Sequence, residues 1–282
     1  MGVLTVVLGL VVALFVTAVP ATAQDSLICR KRDKQGDKSG GLTKLGNRAD
    51  FYNGGEGKDR IFGGPGDDIL NGGRGNDKVY GGPGDDIVCG GIGNDRLFGD
   101  AGNDEVFGEE QDDQLTGGPG NDYLNGQADR DMLFGYGTAG GVAVADGTDY
   151  LEGSFAQDVL VAGGFDVLFG GADDDVLSSE TPLEGVELMS GGLQNDQIFG
   201  SDADDKLILG DEGDDVVRGG GGADEIRGGN NEDMLFGDLG NDLLFGELGE
   251  DSLSGGGDDD VCDGDEQDDN ADDTCEKRVD MP

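Results

Sequence analysis

The chain has no histidine and no tryptophan, and its 282 residues hold only 18 lysines and arginines against 62 aspartates and glutamates. Without histidine, the Ser-His-Asp and Cys-His nucleophile arrangements and the H-E-x-x-H zinc helix are excluded. Four cysteines and no histidine also leave too few donors for a row of zinc sites. The shortage of basic residues, with a formal charge of −44, argues against a nucleic acid or an anionic membrane as partner, because phosphate binding needs clustered lysine and arginine. Cations are the natural partners of such a chain.

Long apolar runs are scarce as well. The one strongly apolar run, "LTVVLGLVVALFV", lies near the N-terminus and leads into "PATAQ". Ala21-Thr-Ala23 fits the small-x-small pattern of a signal-peptidase site, so residues 1–23 read as a secretory signal cut after Ala23, although the first residues carry no lysine or arginine. The alternative is an uncleaved anchor, since residues 3–19 approach the roughly 17-residue lower limit of a bilayer span. On either reading the remainder is expected to be extracellular, and after cleavage no transmembrane segment is expected.

What the chain has in excess is glycine, 58 residues, and the glycines are ordered. "GGPGDDILN" at 63–71 is followed by "GGRGNDKVY" and "GGPGDDIVC", a frame G-G-x-G-x-D-x-U-x in which U is a large apolar residue. From Gly54 the frame restarts every nine residues through 126. Its sixth position reads Asp59, Asp68, Asp77, Asp86, Asp95, Asp104, Asp113, Asp122 and Asp131; its eighth reads Ile61, Leu70, Val79, Val88, Leu97, Val106, Leu115, Leu124 and Leu133. The phase survives a degraded unit at 135–143, where Gly140 replaces the aspartate and Val142 keeps the apolar place, and resumes at Asp149 and Asp158. It then slips at Asp166, passes Asp175 and crosses "SSETPLEGVELMS" before Asp196, a stretch read as a loop or joint. Regular phase returns with Asp196 and Asp205, shifts by one at Leu209, and continues through Asp215, Asp224, Asp233, Asp242, Asp251, Asp260 and Asp269. The organisation predicted is a basic lead-in at 24–53, a first block at 54–160, an irregular segment at 161–190, a second block at 191–272 and a tail at 273–282.

Three extended residues with an apolar middle make a short strand whose central side chain points inward. Glycine opens backbone conformations closed to other residues, so G-G-x-G-x-D can form a tight turn. Two units then bring the chain round once and bury two opposed rows of leucine, isoleucine and valine. Stacked coils lie about 4.7–4.9 Å apart, and an ion between two levels lies about 2.4 Å from each, within the range of about 2.3–2.6 Å for calcium to oxygen. Magnesium, with shorter bonds and a strict octahedron, fits poorly.

Units such as "GGPGDDILN", "GGRGNDKVY" and "GGPGNDYLN" resemble the RTX, or haemolysin-type, calcium-binding nonapeptide repeats. The resemblance covers well over half of the chain left after signal cleavage. It implies an all-β, right-handed parallel β-roll solenoid with two repeats per coil, holding multiple Ca2+ ions between stacked turns. It further implies sixth-position aspartates as ligands, completed by backbone carbonyls. Carried onto this chain, the metal ligands are Asp59, Asp68, Asp77, Asp86, Asp95, Asp104, Asp113, Asp122, Asp131, Asp149, Asp158, Asp175, Asp196, Asp205, Asp215, Asp224, Asp233, Asp242, Asp251 and Asp260. Asp59 would share an ion with Asp77, Asp68 with Asp86, and so on along each edge. Weaker sites are expected where the fourth glycine is lost, at Gln111, Asp129, Gln194 and Ala203. Toxins, proteases and lipases of this family carry their activity in separate domains, which this chain is expected to lack, and usually leave by a C-terminal export signal, whereas an N-terminal route is expected here.

Four cysteines allow three pairings; in a secreted chain Cys262 with Cys275, and Cys29 with Cys89, are the expected ones. Two motif fragments fail on inspection. "GYGTAG" at 135–140 has no strand–helix unit around it, and Asp268-x-Asn270-x-Asp272 places Asp273 and Val279 where a calcium loop needs glycine and glutamate. The functional expectation is therefore a secreted calcium-binding protein, not an enzyme, that folds on Ca2+ and serves a structural or adhesive role. A cell-surface or extracellular polymer is its candidate partner. Two alternatives stand beside it: a polysaccharide-acting enzyme using Asp173, Asp174 or Glu184 of the irregular segment, and a soluble calcium buffer or sensor. The oligomeric state is not legible.

Overall fold

Each x-U-x triplet with its flanking glycines forms a short strand, as in Arg60–Phe62 and Lys78–Pro83. The computed structural model describes residues 41–135, 138–139, 142–143, 147–163, 165–179, 185–264, 270–271, 275 and 277–278. Successive strands alternate between two parallel 13-stranded sheets, so that one coil consumes two repeats. Register is strict: Arg60, Ile61 and Phe62 face Lys78, Val79 and Tyr80, which face Arg96, Leu97 and Phe98. No residue among those described is helical. The chain is a parallel β-roll.

The eighth-position side chains fill the space between the sheets. Ile61, Val79, Leu97, Leu115 and Leu133 from one sheet meet Leu70, Val88, Val106, Leu124 and Leu151 from the other, all fully buried in one continuous core. Burying each such side chain contributes about 1.5–3 kcal/mol. The core is only two side chains thick and its turns are mostly glycine, so hydrophobic burial must offset an unusually large loss of backbone entropy.

Three expectations are corrected. The degraded unit does not keep its apolar place in the core: Thr138–Ala139 and Val142–Ala143 pair as an antiparallel hairpin outside both large sheets. Tyr123 therefore pairs directly with Tyr150, and the step from Asp122 to Asp149 is 27 residues instead of 18. Because one whole nonapeptide is extruded, the sequence phase survives although the strand is missing.

The irregular segment carries a connection between the strands that end at Ser179 and begin at Leu188, but it does not part the two blocks. Val167–Ala172, Val176–Ser179 and Leu188–Leu193 are strands of the two sheets, with Val167 paired to Leu188 and Val176 to Gln197, so both sheets run through it. The phase shift near residue 209 also falls one residue earlier. Ile208 is fully buried between Met189 and Ile226, while Leu209 turns outward opposite Ser190 and Arg227. One added residue before a strand exchanges its two faces.

Cys262 and Cys275, separated by 13 residues, form the expected disulfide. Both are buried against the last coils of the core. Replacing both with serine should lower stability by about 3 kcal/mol in the chain-entropy account and expose the last coils to protease. A denaturant midpoint and a proteolysis time course unchanged from the parent would contradict that role. Cys89 is also disulfide-bonded, and Cys29, its expected partner, lies outside the described residues, as does the proposed signal.

Candidate metal centre

The turns bring the sixth-position aspartates into two vertical ladders. On one edge the backbone N–H of Asp59 donates to Oδ1 of Asp77, Asp77 to Asp95, Asp95 to Asp113 and Asp113 to Asp131, at 2.6–2.8 Å. The ladder continues unbroken through Asp158, Asp175, Asp196, Asp215, Asp233 and Asp251. On the other edge Asp50 donates to Asp68, and the series runs through Asp86, Asp104, Asp122 and Asp149 to Asp166. It starts again at Asp205 and passes through Asp224 and Asp242 to Asp260.

Between Asp166 and Asp205 the second ladder has a gap. Val186 stands at the aspartate level there: its N–H donates to Oδ1 of Asp205, and the next residue, Glu187, donates to the Asp166 carbonyl. Neighbours expected to share an ion, such as Asp59 with Asp77 and Asp68 with Asp86, do lie one coil apart on the same edge.

Most of these carboxylates give only Oδ1 to the ladder. The buried Oδ2 of Asp68, Asp77, Asp86, Asp95, Asp104, Asp113, Asp131, Asp158, Asp175, Asp196, Asp215, Asp224, Asp233 and Asp242 has no hydrogen-bond partner. A carboxylate oxygen buried and unpaired is costly, so each of these atoms asks for a cation or a proton. The carboxylate packs directly against a glycine. A Cβ added to Gly63 would lie 2.4 Å from Oδ2 of Asp68 and 2.5 Å from the Gly81 carbonyl; one added to Gly81 would lie 2.4 Å from Oδ2 of Asp86 and 2.6 Å from the Gly99 carbonyl. Carboxylate and carbonyl oxygens thus converge where the first glycine of each unit has no side chain.

The second and fourth turn positions need a left-handed backbone, as at Gly82 (φ 117°) and Gly84 (φ 142°). Where glycine is lost there, Gln111, Asp129 and Gln194 still adopt φ of 71–77°. These turns hold their shape at the cost of strain. Ala203 differs, because its turn is closed by Ser201: the Ser201 N–H donates to Oδ2 of Asp205 and its hydroxyl lies 3.0 Å from Oδ1. With Val186 also donating to Oδ1, both oxygens of Asp205 are satisfied by protein groups. Asp166 is likewise bonded through both oxygens, to the N–H of Gly163 and of Asp149. The loss of the fourth glycine at Ala203 already marked this unit as a weaker site, and the serine at its second position supplies the group that closes the carboxylate.

Burial is the main cause of the acidity shifts along the ladders. It pushes the Asp77 and Asp104 carboxyls up to about 6, Asp86, Asp95 and Asp131 to about 7, Asp158, Asp196, Asp224 and Asp233 to about 8, and Asp113 to about 9. Backbone N–H donors pull each of these down and neighbouring carboxylates push it up. The ladders are therefore poised between taking a proton and taking a cation.

Among the described residues no three acidic or cysteine side chains gather around one point. A site on these ladders must draw much of its shell from backbone carbonyls, an all-oxygen set that suits calcium and not zinc. The donors present fit calcium on that ground. Asp173 and Asp174, candidates for a glycan-cleaving site, lie on the outer side of a turn, where Oδ1 of Asp174 accepts the Asn195 N–H. Glu184 lies outside the described residues.

The repeat fold and its oxygen-lined turns define a calcium-binding repeat protein. The RTX calcium-binding nonapeptide repeat matches residues 46–79, 62–97, 80–115, 107–137, 162–180, 183–212, 209–244 and 236–271, and the chain belongs to that family. A search of curated proteins finds no match.

Asp113→Asn is expected to remove bound calcium, whereas Asp205→Asn should leave the number of ions unchanged. Native mass spectrometry of each variant against the parent reads this directly. Equal ion loss from both would contradict the distinction between open and closed carboxylates.

Proposed function

We propose that the protein is exported and works outside the cell as a non-catalytic, calcium-ordered structural or surface protein, with the ladder aspartates from Asp59 to Asp260, apart from Asp166 and Asp205, as its ligands. The observation that carries the reading is the column of buried carboxylate oxygens without hydrogen-bond partners, packed beside backbone carbonyls of the next coil. Ions there would clamp successive coils, so binding free energy becomes folding free energy. The Ala21-Thr-Ala23 cleavage pattern supports export. So does the chemistry, since extracellular calcium modules work at about 10⁻⁴–10⁻³ M calcium, levels that the exterior supplies.

Fractionating the producing cells tests the reading. Retention on washed cells in calcium, with release by EGTA, is the expected result. Equal recovery in the medium under both conditions would favour a soluble calcium buffer, and recovery from the cytoplasm would overturn the proposal.

A further inference from the structure

One column on the outside of the roll holds three basic residues in succession. Arg60, Lys78 and Arg96 occupy registered positions on adjacent strands, so three cations stack at the strand spacing of about 4.8 Å. Like charges directly opposite each other on a sheet are destabilising. The chain has 62 acidic residues with which to relieve that cost, and elsewhere it does so: Arg218 pairs with Asp238, Arg227 with Glu225 and Glu247, and Arg130 with Asp112. Among the described residues no carboxylate pairs with Arg60, Lys78 or Arg96.

Arg60 and Lys78 rest instead on aromatic rings, and Arg96 follows them in register on the next strand. Phe62, Tyr80 and Phe98 form the neighbouring file, stacked face to face with centroids 4.6 and 4.8 Å apart. The Arg60 guanidinium lies 5.0 Å from the Phe62 centroid, and the Lys78 ammonium 5.0 and 4.9 Å from those of Tyr80 and Phe98. Lys44 continues the stripe, 5.5 Å from Phe62. The rings hold Arg60 and Lys78 in place without neutralising them, which lowers the ordering cost of binding an anion.

We propose that this stripe is a docking surface for an extended anionic polysaccharide laid along the roll axis, its carboxylates or sulfates meeting Arg60, Lys78 and Arg96 in turn. A linear row of cations at a fixed repeat matches a linear polyanion. A nucleic acid fits less well, because single strands bind by stacking bases on open aromatic faces, and these ring faces are turned against one another. The groove that holds the stripe is also bordered by Asp59, Asp77 and Asp95. Calcium on that ladder removes the repulsion a polyanion would meet there, so docking is expected to require calcium. The calcium requirement rests on the function proposed above; the surface itself does not.

The test is binding of dextran sulfate, with neutral dextran as control, to the whole protein in calcium, followed by calorimetry. A sulfated polymer is used because polyuronates gel with calcium. Arg60→Gln, Lys78→Gln and Arg96→Gln together should weaken binding by about tenfold or more, while Arg218→Gln, at an already paired arginine, should leave it unchanged. Should the triple variant fail to fold, Arg96→Gln alone must still weaken binding, and added sodium chloride must weaken binding to the parent. The proposal is overturned if the folded parent ignores the polymer, or if the stripe variants bind as the parent does. It is also overturned if single-stranded DNA of equal charge binds as tightly, or if sedimentation shows that the stripe holds a second copy of the chain. Circular dichroism of the same samples separates the two readings. Protein ordered by calcium that ignores the polymer contradicts the stripe alone; protein that binds polymer without any calcium-induced order contradicts the calcium reading.

Discussion

Chelating calcium at neutral pH should dissolve both sheets, and acidifying the chelated protein should bring part of the order back. The reason is the pair of carboxylate ladders. Without ions, charged groups stack coil above coil, and in fourteen of them, among them Asp77, Asp86 and Asp113, one oxygen is buried and unpaired. In the folded chain burial raises these carboxyls above their ordinary value of 3.8, to about 6 for Asp77 and Asp242 and about 9 for Asp113. A raised folded value means that the roll binds more protons than the unfolded chain between roughly pH 4 and pH 9. Stability of the ion-free roll therefore falls as pH rises through that window and is greatest below it. Calcium reverses the sign, because the ion needs the deprotonated carboxylates, so its affinity should increase from pH 5 to pH 8. Far-UV circular dichroism in EGTA across this range checks both statements. A calcium-free β signal that grows with rising pH would contradict the assignment of the ladders as the source of instability.

A single methyl group at a first-position glycine should have the next largest effect. In Gly81→Ala the new Cβ would sit 2.4 Å from Oδ2 of Asp86 and 2.6 Å from the Gly99 carbonyl. Neither the ladder nor the next coil's backbone can retreat without breaking register with its own neighbours. The variant should lose about 2–4 kcal/mol of stability in calcium, since it combines a core clash with the loss of oxygen donors for one level. The control is Gly257→Ala, whose Cβ would make ordinary contacts, 3.4 Å from Leu239 and 3.7 Å from the Asp238 carbonyl. It should stay within about 0.5 kcal/mol of the parent. Denaturant midpoints in saturating calcium read the difference, and similar losses in both variants would show that glycine serves here only through chain entropy.

The sequence made the core and the ladders legible because both depend on fixed columns. An apolar residue two places after each aspartate points inward in a strand whose neighbours point out, and the burial of Ile61 through Leu133 follows that arithmetic. The exceptions arise where the column is blind to direction or count. The hairpin near Val142 was hidden because the coil that carries it is longer by nine residues, one whole repeat. Ile208 rather than Leu209 fills the core because one added residue turns a strand over, which letters alone do not reveal. Val186 interrupts a ladder that the spacing from Asp175 to Asp196 only hinted at. The cationic stripe escaped for a different reason. Its residues sit at the variable seventh and ninth positions, and only the pairing of alternate repeats brings Arg60, Lys78 and Arg96 side by side.

The measurement that bears most directly on the account is far-UV circular dichroism of the chain from Gln24 onward, titrated separately with calcium and with magnesium. A cooperative gain of β signal with calcium, and little with magnesium, is the predicted result, because the carbonyl and carboxylate shell between coils suits the longer bonds and flexible geometry of the larger ion. An ordered β spectrum that is the same in EGTA, or one produced equally by magnesium, would contradict the claim that calcium is part of this fold.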